Sequence, residues 1–288
     1  MTQRLLICIG AQKAGTTWLA DYLRDHPQVH VPPVKEVHFF DARFVPQWCA
    51  KYEEEMLAEF QRQTAQLTME SCGNPAIQQR LHAMLLRFRM IANPNEYLRF
   101  MSWGAQGVPV LFEATPDYSM LGKDGFRFMR EIHPDVRLIF LMRNPADRVW
   151  SSMTFNRTHN PKFDIEAMFD RLLEREDFML LADYERTLQE AQSVFGEDRI
   201  HLEFYEHLFN QEAVDRICHF AGIGAKPAEF STRSNASRSD ASGGREEMPQ
   251  DMRARACAAY AHIYQAIARR FANDIPENWL QDMARYGL

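Results

Sequence analysis

A three-layer α/β fold, with helices covering both faces of a central parallel sheet, is what this sequence predicts. Three observations carry the prediction. Short apolar runs recur along the chain, helical patterns separate most of them, and the first run breaks into a glycine loop that opens a helix. Strands alternating with helices pair in parallel through crossovers, and a run apolar throughout suits a strand buried on both faces.

Leu5–Ile9 is the first strand, ended by Gly10. A loop with a second glycine, Gly15, leads into a helix over Thr17–Asp25, which His26-Pro27 stops, because proline lacks an N–H and disfavours helical backbone just before it. Val37–Phe40 is expected as the second strand. Residues 46–103 then carry helical patterns at Glu53–Gln63, Ile77–Met90 and Glu96–Trp103, punctuated by Asn93-Pro94. That excursion is too long for a simple crossover and reads as a helical insertion over the functional edge of the sheet. Strands resume at Val110–Glu113, Val136–Met142 and Ile200–Phe204. A helix over Pro145–Phe155 starts with proline in a favoured first-turn position. Asp164–Phe195 is mainly helical, and a helix over His207–Ala221 follows the last strand. Residues 225–249, rich in Ser, Arg and Gly, have the composition of a flexible linker. Beyond them Met252, Ala256, Ala259, Ile263, Ile267 and Phe271 recur at helical spacing, so the chain returns to pack on the core. The expected organisation is one domain over 1–288 with an insertion and a late loop.

The length of 288 residues is ample for one large α/β domain. Apolar residues at 46% and charged residues at 25% are ordinary for a soluble globular protein. A net charge of −6 argues against a polyanion-binding surface, so nucleic acid is not an expected partner, while one local basic cleft stays open. The five cysteines (Cys8, Cys49, Cys72, Cys218, Cys257) are scattered, odd in number and form no C-x-x-C. That pattern favours reduced, packed thiols over a disulfide framework or a zinc site. The first strand starts about three residues after Met1 and there is no apolar run of about 18 residues, so the expected protein is cytoplasmic without a membrane span.

A strand, a glycine loop and a helix N-terminus together cradle phosphate, because loop amides and the helix dipole point at the anion. In the triphosphate loop G-x-x-x-x-G-K-S/T the lysine follows the second glycine. Here Thr16 takes that place and the lysine is Lys13, inside the loop. Magnesium-triphosphate chemistry also uses an acid at the end of a hydrophobic strand, whereas Val136–Met142 runs into Arg143. Lys13 and Arg143 thus place positive charge on an anion without an intervening metal. Ser151, about two turns into the next helix, adds a hydroxyl. A solvated loop lysine and a strand-end arginine salt bridge are the bland alternatives. Period-two alternation puts Glu36 and His38 on one face if their segment is extended, and a carboxylate beside an imidazole can accept a proton. The alternatives are a solvated carboxylate paired with Lys35 and a packed or helix-capping imidazole.

Gly10-Ala-Gln-Lys-Ala-Gly-Thr-Thr17, followed by His26-Pro27 and Lys35-Glu-Val-His-Phe-Phe-Asp41, resembles the 5′-phosphosulfate-binding region of sulfotransferases. Arg143-Asn-Pro-Ala-Asp-Arg-Val-Trp-Ser151 is similar to the family's 3′-phosphate-binding segment, and Glu113-Ala-Thr-Pro-Asp-Tyr118 to its Glu-Lys-Thr-Pro-x-Tyr segment. The resemblance covers most of residues 4–155 and, more loosely, the loop around Asn235–Arg238. It points to the carbohydrate branch, including the heparan sulfate 3-O type, and its bacterial homologues. It implies a P-loop-type fold, 3′-phosphoadenosine 5′-phosphosulfate (PAPS) as donor, 3′-phosphoadenosine 5′-phosphate (PAP) as product, and no metal.

By that resemblance Gln12, Lys13, Ala14, Gly15, Thr16, Thr17 and Trp18 bind the phosphosulfate, Lys13 also acting in catalysis at the bridging oxygen. Arg143 and Ser151 grip the 3′-phosphate. Arg238, with Arg233 and Arg245 as alternatives, closes a lid at 225–249. Glu36 is the implied base, with His38 as runner-up, and Glu36, His38, Asp41 and Glu113 line the acceptor side. The implied reaction is in-line sulfuryl transfer to a hydroxyl, or alternatively an amine, of a small-molecule, sugar or lipid-like acceptor. Ala114 departs from the pattern by replacing the family lysine. With the net acidity, that disfavours a sulfated polysaccharide and favours a smaller, less anionic acceptor. Trp48, Tyr52, Phe60, Phe88, Tyr97, Phe100 and Trp103 of the insertion either build an apolar acceptor pocket or belong to the core. Two competing readings are a P-loop small-molecule kinase or nucleotide hydrolase, and a non-catalytic 3′,5′-bisphosphate-binding module.

Overall fold

A computed structural model describes residues 3–65, 67–230, 246–272 and 274–288. Five strands, β1 (Arg4–Gly10), β2 (Val29–His30), β3 (Val110–Ala114), β4 (Val136–Met142) and β5 (Ile200–Phe204), form one sheet in the order β2-β3-β1-β4-β5. Every pairing is parallel, with Leu5 opposite Leu111 on one side and Val136 on the other. Leu5–Ile9 and Leu138–Met142 are wholly buried. Helices cover both faces of these strands, which is why their sequences read as continuous apolar runs rather than alternating ones.

The second strand is a correction. Val37–Phe40 is not a strand; the sheet is instead extended by Val29–His30, which pairs Val29 with Val110. Pro32-Pro33 cuts that strand short, since neither residue can donate to a ladder. The β-forming composition of Val37, Phe39 and Phe40 serves burial instead.

Helix α1 (Thr16–Arg24) follows the glycine loop. A short helix α2 (Asp41–Phe44) comes next, and the expected insertion holds α3 (Pro46–Ala65), α4 (Met69–Cys72), α5 (Pro75–Ala92) and α6 (Glu96–Ser102) ahead of β3. Helix α7 (Lys123–Glu131) precedes β4, and α8 (Pro145–His159) leaves it. The Asn144 side chain caps α8 by accepting from Asp147 N at 3.1 Å, with Pro145 in the first turn. Helices α9 (Ile165–Leu173), α10 (Glu176–Leu180) and α11 (Tyr184–Phe195) lead to β5, and α12 (Tyr205–Leu208) and α13 (Gln211–Ala221) follow it. The chain then returns as α14 (Gln250–Ala259), α15 (Ala261–Phe271) and α16 (Glu277–Tyr286). This return pins the start of α8. Asn144 Nδ2 donates to Asp282 at 2.8 Å, and Arg253 bridges Asp147 at 2.8 Å and Asp282 at 2.7 Å.

Among the described residues no helix is long and apolar enough to cross a membrane. Cys8, Cys218 and Cys257 are buried free thiols, and Cys72 is an exposed one.

Candidate active site

The connections after β1 and β4 leave in opposite directions along the sheet, and ligands in open parallel sheets bind at such a switch point, outside the carboxyl ends of the strands. A cavity of about 250 Å³ lies there. The chain leaves β1 through Gly10 at φ +146°, where a Cβ would sit 2.9 Å from the Pro116 carbonyl, so only glycine fits. Lys13 (φ 67°) and Gly15 (φ 89°) are both left-handed and curl the loop back into α1. Gly15 supplies no side-chain cap, and the first turn of α1, with its positive dipole end, lines the cavity through Thr16, Thr17 and Trp18. The Ala14 amide is used differently from the sequence expectation. It closes the loop onto the Ala11 carbonyl at 3.1 Å, and the Ala14 side chain is buried.

Lys13 Nζ lies 3.3 Å from the centroid of the Phe155 ring on α8, a cation–π contact. Burial pulls its pKa down to about 8, Arg143 and Lys35 add to that, and the Glu36 carboxylate opposes it. Arg143, 5% exposed, donates Nη1 to the Lys13 carbonyl at 2.8 Å and lays its guanidinium 4.4 Å over the Tyr205 ring. Tyr184 anchors it from behind by donating to its carbonyl at 2.8 Å. Gln12, Thr16, Thr17, Trp18 and Ser151 all line the cavity. Lys35, Ser152, Phe155, Asn156, Tyr205 and Phe209 line it too and were not anticipated. Phe155 alone had a usable signal, lying four residues beyond Ser151 on the same helical face. Lys35 Nζ donates to Thr17 Oγ1 at 2.8 Å. Among the described residues the wall therefore holds three cations, Lys13, Lys35 and Arg143, against one carboxylate, Glu36. Arg233, Arg238 and Arg245, the lid candidates, lie outside the described residues.

Glu36 and His38 do share one side of their loop, by a conformation other than the expected extended one. Both are left-handed, at φ 53° and 52°, and Glu36 Oε2 lies 3.9 Å from His38 Nε2. Side chains satisfy the backbone groups that a ladder would have paired. Val37 N donates to Thr115 Oγ1 at 2.9 Å and Phe39 N to the Tyr118 hydroxyl at 3.0 Å. Arg87 of α5 donates to the carbonyls of Glu36 at 3.0 Å and Val37 at 3.1 Å. Arg43 donates to the Phe39 carbonyl at 2.8 Å. Nothing local in the sequence marks Arg87, because its partners are about fifty residues away.

His38 Nδ1 is bonded to Asp41 Oδ2 at 2.7 Å, and its ring stacks on Tyr52 with centroids 3.9 Å apart. Burial disfavours the imidazolium, but the bond and charge of Asp41, with Asp117 and Glu36 beyond, outweigh it and raise the His38 pKa. Asp41, expected to line the acceptor side, is fully buried and orients His38 instead. Tyr52 donates to Asp117 at 2.8 Å, and Gln12 donates to the other Asp117 oxygen at 3.3 Å. Among the described residues His38, Asp41 and Asp117 form a group with ligating atoms within 4.8 Å of one another. All three side chains already hold hydrogen bonds inside the protein.

Glu113 departs from its expected place on the acceptor side. It is 2% exposed and accepts hydroxyl protons from Tyr97, from Thr115 at 2.9 Å and from Tyr118 at 3.3 Å. Thr115 and Tyr118 are the same hydroxyls that receive Val37 N and Phe39 N. The Glu113-Ala-Thr-Pro-Asp-Tyr118 segment thus braces the loop that carries Glu36 and His38. Burial pushes the Glu113 pKa up to about 7 in spite of its three donors. The folded state then keeps a proton that the unfolded chain loses near pH 4.5. Stability due to this group is full below that pH and declines as the pH rises to about 7, by roughly 3 kcal/mol. Denaturation of Glu113→Gln should lack this decline, and parallel profiles for the two proteins would reject the assignment.

The family model described as "Sulfotransferase family" matches residues 6–227. A sulfotransferase from Alicyclobacillus acidocaldarius is similar in structure over 97% of this chain and 99% of its own, with a TM-score of 0.66 at 20% identity. A sulfotransferase domain from the Synechococcus PCC 7002 olefin synthase is similar over 95% of each chain, at 15% identity and a TM-score of 0.49. One from the curacin biosynthetic pathway is similar over 79% of this chain and 76% of its own, at 14% identity and a TM-score of 0.48. No curated protein matches the sequence.

Proposed function

The chain belongs to the sulfotransferase family, and we propose that it moves a sulfuryl group from PAPS to an acceptor hydroxyl by in-line displacement without a metal. One observation supports this most. The Arg143 guanidinium donates to the Lys13 carbonyl at 2.8 Å, so two cation-bearing segments 130 residues apart close on one cavity. A phosphosulfate bearing a 3′-phosphate has two separate anionic ends, and the wall offers a cation for each.

Lys13 would neutralise charge gathering on the departing 5′-phosphate oxygen, with the Thr16 and Thr17 hydroxyls and the first amides of α1 holding the same phosphate. Arg143 and Ser151 would hold the 3′-phosphate, a task suited to the planar guanidinium fork. Glu36, facing Lys13 across the cavity wall, would take the acceptor proton, and His38 would keep Glu36 in place from the side that Asp41 fixes. Lys35 adds charge through Thr17. The donor supplies the sulfuryl group and its leaving group, and this chain supplies position and charge.

The test is ligand choice. Saturating adenosine 3′,5′-bisphosphate should raise Tm by about 5 °C in the absence of magnesium, with ATP and magnesium giving a small shift. The reverse ranking would favour a kinase or nucleotide hydrolase and sink this reading. Transfer of label from PAPS separates the enzyme from a bisphosphate-binding module.

A further inference from the structure

Behind the Glu36–His38 pair lies a second cavity, of about 150 Å³, walled by that loop and by α2, α3 and α5. We propose that it is the acceptor site and that it takes a hydroxyl compound with a small apolar body and no positive charge, such as a one-ring phenol or a short-chain alcohol. The inference rests on the sulfuryl-transfer reading above and adds the acceptor class to it.

Position argues first. Glu36 lines the anion cavity and His38 lines the second one, and the two side chains approach to 3.9 Å. The pair is therefore the partition between the two spaces. A hydroxyl presented at the partition has the carboxylate on one side and the Lys13 cavity ahead of it. In the step, the acceptor oxygen bonds to sulfur while the bridging S–O bond breaks. The bond's electron pair leaves with the 5′-phosphate, and the acceptor proton passes to Glu36.

Size and chemistry argue next. Cavities for drug-sized ligands run to about 300–1,000 Å³, so 150 Å³ admits a small body and excludes an oligosaccharide chain. Tyr52, Met56 and Met90 give the wall apolar surface, and the methionines can adjust to a flat or a flexible guest. The charged side chains in the wall are Arg43 and Arg87, which donate to backbone carbonyls of Phe39, Met90, Glu36 and Val37. No carboxylate lines this cavity among the described residues. A cationic acceptor would thus meet like charge and no counter-ion. A sugar would bury several hydroxyls against methionine and tyrosine, at a cost for each one left unpaired.

The experiment follows transfer from PAPS to 4-methylphenol, 1-hexanol, D-glucose and the cationic phenol tyramine, by mass spectrometry. Wild-type protein should sulfate 4-methylphenol or 1-hexanol at a kcat/KM at least about tenfold above that for D-glucose and tyramine. Ala42→Leu, which fills the cavity from α2, should raise KM for the preferred acceptor about tenfold or more, with the Kd for adenosine 3′,5′-bisphosphate unchanged. Met56→Ala should enlarge the space and shift preference toward 2-naphthol. Two results overturn the acceptor assignment while bisphosphate still binds: no transfer to the apolar acceptors, or transfer indifferent to both substitutions. Loss of bisphosphate binding by the wild-type protein overturns the sulfuryl-transfer reading beneath it, a separate and distinguishable failure.

Discussion

Lys13→Ala should lower kcat/KM for sulfuryl transfer by roughly 10²–10³-fold, the usual cost of removing one group aimed at charge that develops in a transition state. The fold should survive the change. Alanine carries the same Cβ at the left-handed φ of 67°, so no new backbone strain arises. Burial already disfavours the Lys13 ammonium, as its pKa of about 8 records, and its loss should leave Tm unchanged or slightly higher. The same pKa gives a second readout. An anionic donor needs the charged amine, so donor affinity should be steady below about pH 8 and fall above it, by up to about tenfold per pH unit. Binding then takes up a proton, because the bound anion restores the amine to its ordinary range. Calorimetry of adenosine 3′,5′-bisphosphate from pH 7 to 9.5 checks this, and in Lys13→Ala that alkaline limb should vanish. Full turnover in the alanine variant would remove Lys13 from the reaction.

Glu36→Gln should reduce kcat by about 10²–10⁴-fold, the range of general base catalysis, while bisphosphate affinity stays within about twofold of the wild type. Glutamine fills the same volume and can still meet Lys35, which lies 3.8 Å from the carboxylate, but it cannot take a proton. His38→Asn is the control, since asparagine tolerates the left-handed backbone at φ 52° and retains a polar group for the buried Asp41. A smaller loss there supports Glu36 as the proton acceptor. If His38→Asn is the more damaging change, the base is His38, oriented by Asp41 in the way a carboxylate orients an imidazole in hydrolytic triads.

The parts of the site that read well from sequence are those built from contiguous residues. Lys13, Thr16 and Thr17 follow one strand, and Arg143 and Ser151 follow another. Local backbone geometry directs them to one cavity, so their place at the ends of two strands is legible in the sequence. The residues around Glu36 read less well. Their alternation suggested a strand, yet the sheet takes Val29–His30 instead. Residues 36–39 are held by Thr115, Tyr118, Arg87 and Arg43. Glu113 was expected at the acceptor and turned out to brace that loop from within the core. The aromatic residues of the insertion are scattered over different surroundings. Tyr52 walls the second cavity, while Tyr97 and Phe100 are core and Phe60 packs edge-on against Phe88 at 5.4 Å.

The sequence by itself determined the parallel α/β architecture and the glycine loop after β1, because each rests on periodicity or short-range spacing, whereas the meeting of Lys13 with Arg143, 130 residues away, belongs to the tertiary structure. Only the tertiary structure decided how the Glu36–His38 loop is shaped and what lies behind it. That loop's backbone is satisfied by side chains from β3's exit, α2 and α5, whose approach depends on how the insertion packs. Apart from Arg43, which reaches back four residues to Phe39, those contacts span fifty residues or more and leave no trace in local pattern. The loops that follow β1 and β4 are therefore each written along the chain, and the shape of the Glu36–His38 loop is written across it.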